Sequence, residues 1–92
     1  MGVAHITGGG LSANIERIIP INLRLSLNYA WEVPEIFKLI KQYGGIKDEE
    51  MYRVFNMGIG LALICHSKDL PLLQESAKNK FRLIRIGRLE NA

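Results

Sequence analysis

The chain has 92 residues, of which 48% are hydrophobic and 23% charged, a balance that excludes a disordered or low-complexity polypeptide. Its net charge is only +3, and its longest apolar run, Ile59 to Cys65, falls far short of the roughly 18 residues needed to cross a bilayer. A single cysteine, Cys65, excludes an internal disulfide and fits a reducing cytoplasm. No membrane association is expected, and the opening Met-Gly-Val-Ala-His lacks the basic and apolar regions of a signal peptide. One domain with a thin core is what this length allows.

The charge is uneven. Lys78, Lys80, Arg82, Arg85 and Arg88 crowd the carboxy-terminal stretch, while Asp48, Glu49 and Glu50 gather in the middle. The basic stretch reads as a solvated helix end followed by an edge strand, where positive charge discourages unwanted pairing. A nucleic-acid surface is not expected, because these charges are not interleaved with the series of aromatic residues that a stacking platform requires.

In chain order, Val3 to Ile6 suits a short strand that runs into Thr7-Gly8-Gly9-Gly10, where successive glycines open backbone angles closed to other residues. Ser12 is placed to cap a helix carrying Leu11, Ile15, Ile18 and Ile19, which Pro20 ends. Asn22 to Asn28 alternates Leu23, Leu25 and Leu27 against polar neighbours, the pattern of a strand with one buried face. Behind Pro34, the residues Val33, Ile36, Phe37, Ile40 and Tyr43 recur at helical spacing, and Gly44-Gly45 stops that helix.

Asp48 to Phe55 predicts a second short helix with its acids at the positive end of the dipole. Ile59 to His66 is apolar on both faces, which predicts a central strand. Leu70, Leu73 and Ala77 mark a helix begun near Ser67 or Asp69, with Pro71 tolerated in its first turn. Phe81 to Leu89 closes as a strand. The order predicts an α/β (α+β) domain: a layered mixed sheet covered by helices, right-handed in its last crossover if those strands are parallel neighbours.

Chemistry has two candidate seats. His5-Ile6-Thr7-Gly8-Gly9-Gly10-Leu11 puts a glycine loop between a strand and a helix, where backbone N–H groups and the helix start suit a phosphate or carboxylate. Thr7 adds a hydroxyl and His5 an imidazole that titrates near neutral pH. The same residues also fit a tight structural turn beside a packed histidine, and blind to relatives both readings stand. Asn56-Met57-Gly58-Ile59-Gly60 is the second seat. Asn56 there offers a donor and an acceptor, or simply caps the preceding helix. Arg53, one turn earlier, reaches either a phosphate or a surface carboxylate. Cys65 and His66 point to opposite faces of a strand and no other ligand set is apparent, so no metal site is expected. Tyr29 and Trp31 read as core or interface residues.

Taken together, two segments resemble one family. His5-Ile6-Thr7-Gly8-Gly9-Gly10-Leu11, followed by Asn14-Ile15 and Arg17 before Pro20, is similar to a signature of aminoimidazole ribonucleotide synthetases, the phosphoribosylformylglycinamidine cyclo-ligases. Glu50-Met51-Tyr52-Arg53 with Phe55-Asn56-Met57-Gly58-Ile59-Gly60 is similar to another. Trp31, Pro34, Ile36, Phe37 and Gly44 fall between them at matching places, and the likeness runs from about residue 2 to residue 66. Ser12, Ala13 and Val54 depart from the pattern.

The resemblance implies that residues 1–92 are part of the carboxy-terminal domain, incomplete at its amino-terminal end, and that the ATP-binding amino-terminal half is absent. It implies ATP-dependent ring closure of formylglycinamidine ribonucleotide, with ATP and Mg²⁺ held by the complete enzyme rather than firmly by this chain. His5 and Asn56 are then expected at the chemistry, with Thr7, Gly8, Gly9, Gly10 and Arg53 binding substrate or phosphate. Apolar sheet surface left bare by the missing part is expected to drive self-association. A phosphate-binding or oligomerising module without catalysis is the alternative.

Overall fold

The computed structural model describes residues 2–92. Strand β1 (Gly2–His5) leads into helix α1 (Gly10–Glu16), then β2 (Leu23–Leu27), α2 (Glu35–Gly44), α3 (Asp48–Val54), β3 (Leu61–Ile64), a short 3-10 turn (Ser67–Asp69), α4 (Leu70–Ala77) and β4 (Gly87–Asn91). The α/β class expected from the pattern is the class the chain adopts, with strands and helices in the expected order. Among the described residues the strands form two antiparallel ribbons, β1 with β3 and β2 with β4. β3 and β4 are therefore not parallel neighbours, and the handedness of a crossover between them does not arise.

Helix α1 starts earlier than Ser12 would place it. Gly9 is the residue before the helix, at φ 97°, and Gly10 follows at φ 84°. These two left-handed residues turn the chain before Ser12 is reached, which leaves Ser12 inside the helix. Leu11 and Ile15, four apart, are buried on one face. Helix α2 follows Pro34 and stops at Gly45, at φ 60°, whose N–H donates to the Lys41 carbonyl. Asp48, Glu49 and Glu50 occupy the first turn of α3 as anticipated.

The core gathers Ala4, Ile6, Leu11, Ile15, Trp31, Met51, Met57, Ile59 and Ala62. Full burial of a side chain such as Leu11 or Met51 contributes about 1.5–3 kcal/mol. Asn14 is the buried polar residue among them. Trp31 lies 8% exposed, and its Nε1–H donates to the Met57 carbonyl at 3.2 Å. Tyr29 stacks on Trp31 with ring centroids 5.9 Å apart, and Tyr52 meets both rings edge-on.

Two strands differ from expectation. β3 is shorter than Ile59 to His66, and it is not covered on both faces. Ala62 is buried, whereas Leu61 and Leu63 are 56% and 46% exposed. With β1 as its partner, β3 packs one face on the core and leaves the other bare. Val3 lies opposite Leu63 on that bare face.

The last strand begins at Gly87 rather than Phe81. Its register against β2 explains the shift. Leu25 faces Leu89 and Arg24 faces Glu90, so apolar and opposite-charge pairs match in one alignment. A Cβ on Gly87 would come within 2.2 Å of the Ser26 carbonyl oxygen, which lets only glycine begin the strand there. Residues 81–86 lose their alternation at the adjacent Leu83 and Ile84, and Asn28, just past β2, donates to the carbonyls of Arg85 and Ile86 before the ladder itself begins.

Arg88 and then Arg24 donate hydrogen bonds to the Glu90 carboxylate and hold its pKa below the ordinary carboxylate value. A carboxyl with a depressed folded-state pKa adds stability above its unfolded pKa and loses it as pH falls through the folded value. Thermal melts should therefore show Glu90→Gln slightly less stable than the parent at neutral pH, with the gap closing as the solution is acidified. The glycine loop supplies a sharper test. Gly8 has open space and no left-handed angle, Gly9 has space but a left-handed angle, and a Cβ on Gly10 would sit 2.4 Å from the Tyr52 carbonyl oxygen. In urea unfolding, Gly8→Ala should stay within about 0.5 kcal/mol of the parent, Gly9→Ala should cost about 1 kcal/mol and Gly10→Ala about 2 kcal/mol or more.

Candidate functional site

The two segments singled out in the sequence meet in space. His5 lies across from Leu61 in the β1–β3 ribbon, and the Ile6 N–H donates to the Gly60 carbonyl at 3.0 Å. One turn further on, Gly10 presses against the backbone of Tyr52 and Arg53. Strand pairing and the α1–α3 contact thus lay His5 to Leu11 alongside Glu50 to Gly60.

Within this arrangement the candidate residues separate. His5 is exposed at the end of β1, so its imidazole is open to solvent and not packed in the interior. Thr7, Gly8 and Gly9 are exposed, while Gly10 is buried. Among the described residues, the N–H groups of Thr7, Gly8 and Gly9 donate to no backbone carbonyl in turns and loops. Helix α1 has 7 residues and so a weak dipole; the donor capacity of the loop lies in its amides. Gly10 has a packing reason to be glycine, since α3 occupies the space its side chain would need.

Arg53 is committed to a neighbour. Its guanidinium donates to Glu50 one turn back on α3, the surface ion pair weighed in the sequence. Gly9 and Arg53 nonetheless border the same open groove of about 540 Å³ between α1 and α3, with Tyr29 and Tyr52 on its walls and Glu16, Asp48 and Glu49 on its rim. His5 and Asn56 do not line it.

Asn56 does not cap α3, whose cap residue is Phe55; its polar groups fix the turn that follows instead. Its Oδ1 accepts the Gly58 N–H at 2.9 Å and its carbonyl accepts the Ile59 N–H at 3.0 Å. These bonds hold a turn in which Met57 and Gly58 take left-handed angles of 54° and 96°. A Cβ on Gly58 would strike the Pro34 ring at 2.5 Å, so this turn also seats the start of α2.

Asn14, to which its local pattern assigns no role, is drawn into the core. It is 4% exposed. Its Nδ2 donates to the carbonyls of Thr7 at 3.1 Å, Gly8 at 3.4 Å and Gly10 at 2.6 Å, and its Oδ1 accepts the Thr7 hydroxyl at 3.3 Å. The signal for it was available: an amide on the apolar face of a helix, three residues after Leu11, must find partners when buried.

The whole chain, residues 1–92, matches the model of one family, AIR synthase related protein, C-terminal domain. The chain belongs to that family. The match extends the sequence likeness past residue 66 to the carboxy terminus. Similar proteins that carry the name phosphoribosylformylglycinamidine cyclo-ligase include those of three organisms. That of Pseudothermotoga lettingae is 53% identical over 73 residues, covering 78% of this chain and 22% of the relative. That of Desulfitobacterium hafniense is 48% identical over 75 residues, covering 80% of this chain and 22% of the relative. That of Bacillus licheniformis is 41% identical over 91 residues, covering 97% of this chain and 26% of the relative. The chain therefore spans about a quarter or less of the length of these relatives.

Among the described residues, no helix is long and apolar enough to cross a membrane, and no three histidine, cysteine or acidic side chains cluster as a metal-ligand set. The Asn56 turn yields a direct check on its structural role. Asn56→Ala should lower unfolding free energy by about 1 kcal/mol in urea titrations, the usual net worth of the hydrogen bond lost from the turn.

Proposed function

We propose that this chain is a segment of a phosphoribosylformylglycinamidine cyclo-ligase of de novo purine biosynthesis, acting in the cytoplasm, and that it lacks activity by itself. The observation that carries the reading is the convergence of the two family-like segments, β1 with its glycine loop against α3 and the turn before β3. It is supported by relatives of that name, of which this chain covers a minor part.

In the proposed reaction ATP, accompanied by Mg²⁺, supplies the phosphoryl group that activates the formyl amide oxygen of formylglycinamidine ribonucleotide. A neighbouring nitrogen of the substrate then attacks that carbon and phosphate leaves as the imidazole ring closes. This chain's share is binding and proton handling. The amides of Gly8 and Gly9 hold a phosphate of substrate or nucleotide, and Thr7, whose hydroxyl proton goes to Asn14 Oδ1, helps to fix the loop that presents them. Gly10 keeps that loop against α3. His5, exposed beside the loop, orients the reacting group or moves a proton. Arg53 adds positive charge at the groove after exchanging Glu50 for the ligand, and Asn56 positions the substrate through the turn it fixes. Mg²⁺ characteristically keeps waters and phosphate oxygens as ligands, so this segment need add at most a carboxylate. The ATP-binding half missing from this segment completes the pocket.

One observation favours a second reading, an oligomerising module. Val3, Leu61 and Leu63 leave an apolar patch bare on the β1–β3 ribbon, and such a patch drives association when nothing else covers it.

The test is complementation. Aminoimidazole ribonucleotide formation should be undetectable with this chain alone and should appear when it is mixed with the remaining portion of the Bacillus licheniformis relative. In that mixture His5→Ala should reduce turnover about 100-fold or more, the range of a lost acid–base group. Full activity of the isolated chain would overturn the partial-enzyme reading, and an unchanged rate with His5→Ala would remove His5 from the chemistry.

A further inference from the structure

We infer that Asn14 is a positioning residue for the glycine loop: its buried carboxamide gathers the loop carbonyls and so turns the Gly8 and Gly9 amides outward as anion donors. The inference rests on the reading of that loop as a phosphate holder and adds the residue that shapes it.

The argument follows from peptide geometry. In a planar trans peptide the C=O of one residue and the N–H of the next point in opposite directions. Asn14 Nδ2 draws the Thr7 carbonyl toward itself at 3.1 Å, which turns the Gly8 N–H away. It draws the Gly8 carbonyl at 3.4 Å, which turns the Gly9 N–H away. Two successive amides thus face the side opposite Asn14, where Gly8 and Gly9 are exposed and no atom stands within 4 Å of a Cβ built on either. Successive N–H groups presented in this way form an anion-binding concavity.

The third bond, to the Gly10 carbonyl at 2.6 Å, anchors the carboxamide to the first turn of α1. The Thr7 hydroxyl, donating to Oδ1 at 3.3 Å, fixes which end of the amide faces the loop. Asn14 is 4% exposed, so it does not itself touch a ligand. It acts through the loop.

The 92-residue chain, labelled with ¹⁵N and titrated with inorganic phosphate, tests this by the amide resonances of Gly8 and Gly9. Parallel titrations with ribose 5-phosphate and with ADP separate a sugar phosphate from a nucleotide phosphate as the source. Saturable shifts at Gly8 and Gly9 are expected in the parent, weakened about tenfold or more in Asn14→Ala and partly restored in Asn14→Ser, which keeps one donor. Tryptophan fluorescence from Trp31 reports that each variant is folded, so a loss of affinity in a folded variant is not a general loss of structure. Parent-like affinity in folded Asn14→Ala would overturn the role of Asn14 and leave the phosphate reading intact. No shift at Gly8 and Gly9 in the parent, whether alone or mixed with the remaining portion of the Bacillus licheniformis relative, would instead overturn the phosphate reading, and the role of Asn14 with it.

Should Asn14→Ala unfold, hydrogen exchange in the parent decides. The Asn14 side-chain amide should exchange far more slowly than that of exposed Asn22, while Gly8 and Gly9 exchange freely. The reverse pattern would overturn the inference.

Discussion

The close passage of α1 over α3 at Gly10 is the constraint on which the rest of the molecule depends. Carbonyl oxygens of Tyr52 and Arg53 fill the space where a side chain would stand, so the two helices meet backbone to backbone. That contact aligns Leu11 and Ile15 with Met51 in one small core. It also places the loop before α1 beside the turn after α3. A bulkier residue at this point would separate the helices and with them the two segments that identify the family. Packing at such short range loses many small attractions when it is forced apart, and a thin core has few others to replace them.

Polar groups inside this core are satisfied rather than excluded. Asn14 answers the carbonyls of the loop, and the Trp31 indole N–H answers Met57. Each joins an element of the core to an irregular stretch, the glycine loop in one case and the turn before β3 in the other. Irregular backbone at a domain surface holds a single shape only when such bonds fix it. The candidate site is therefore a by-product of core architecture, with its exposed donors set by what is buried beneath them. The groove walled by Tyr29 and Tyr52 lies against the same helices, and the ribbon face of Val3, Leu61 and Leu63 is apolar and exposed.

Much of this was legible in the residues. Helix α2 follows from its periodicity, Pro34 and Gly45, and α3 from its acidic first turn. Glycine turns between strand and helix were legible as well. What misled was local pattern without a neighbour. Phe81 to Ile86 has the composition of a strand, yet the ladder with β2 starts only at Gly87, and of this stretch Asn28 reaches the carbonyls of Arg85 and Ile86. Ile59 to His66 is apolar enough for a covered strand, yet Leu61 and Leu63 face outward. Ser12 has the chemistry of a cap, but Gly9 had already turned the chain.

The sequence by itself determined the class of fold, the places where the chain turns and the family, because these rest on local chemistry: glycine angles, proline stops, apolar spacing and the order of two short segments. Only the tertiary structure decided which strands pair, that Arg53 is held by Glu50 while His5 stays open, and that Asn14 governs the loop. Strand pairing joins residues far apart in the chain, and although the partners of Arg53 and Asn14 lie within a few residues, which of the groups in reach each one takes is selected by how the helices pack.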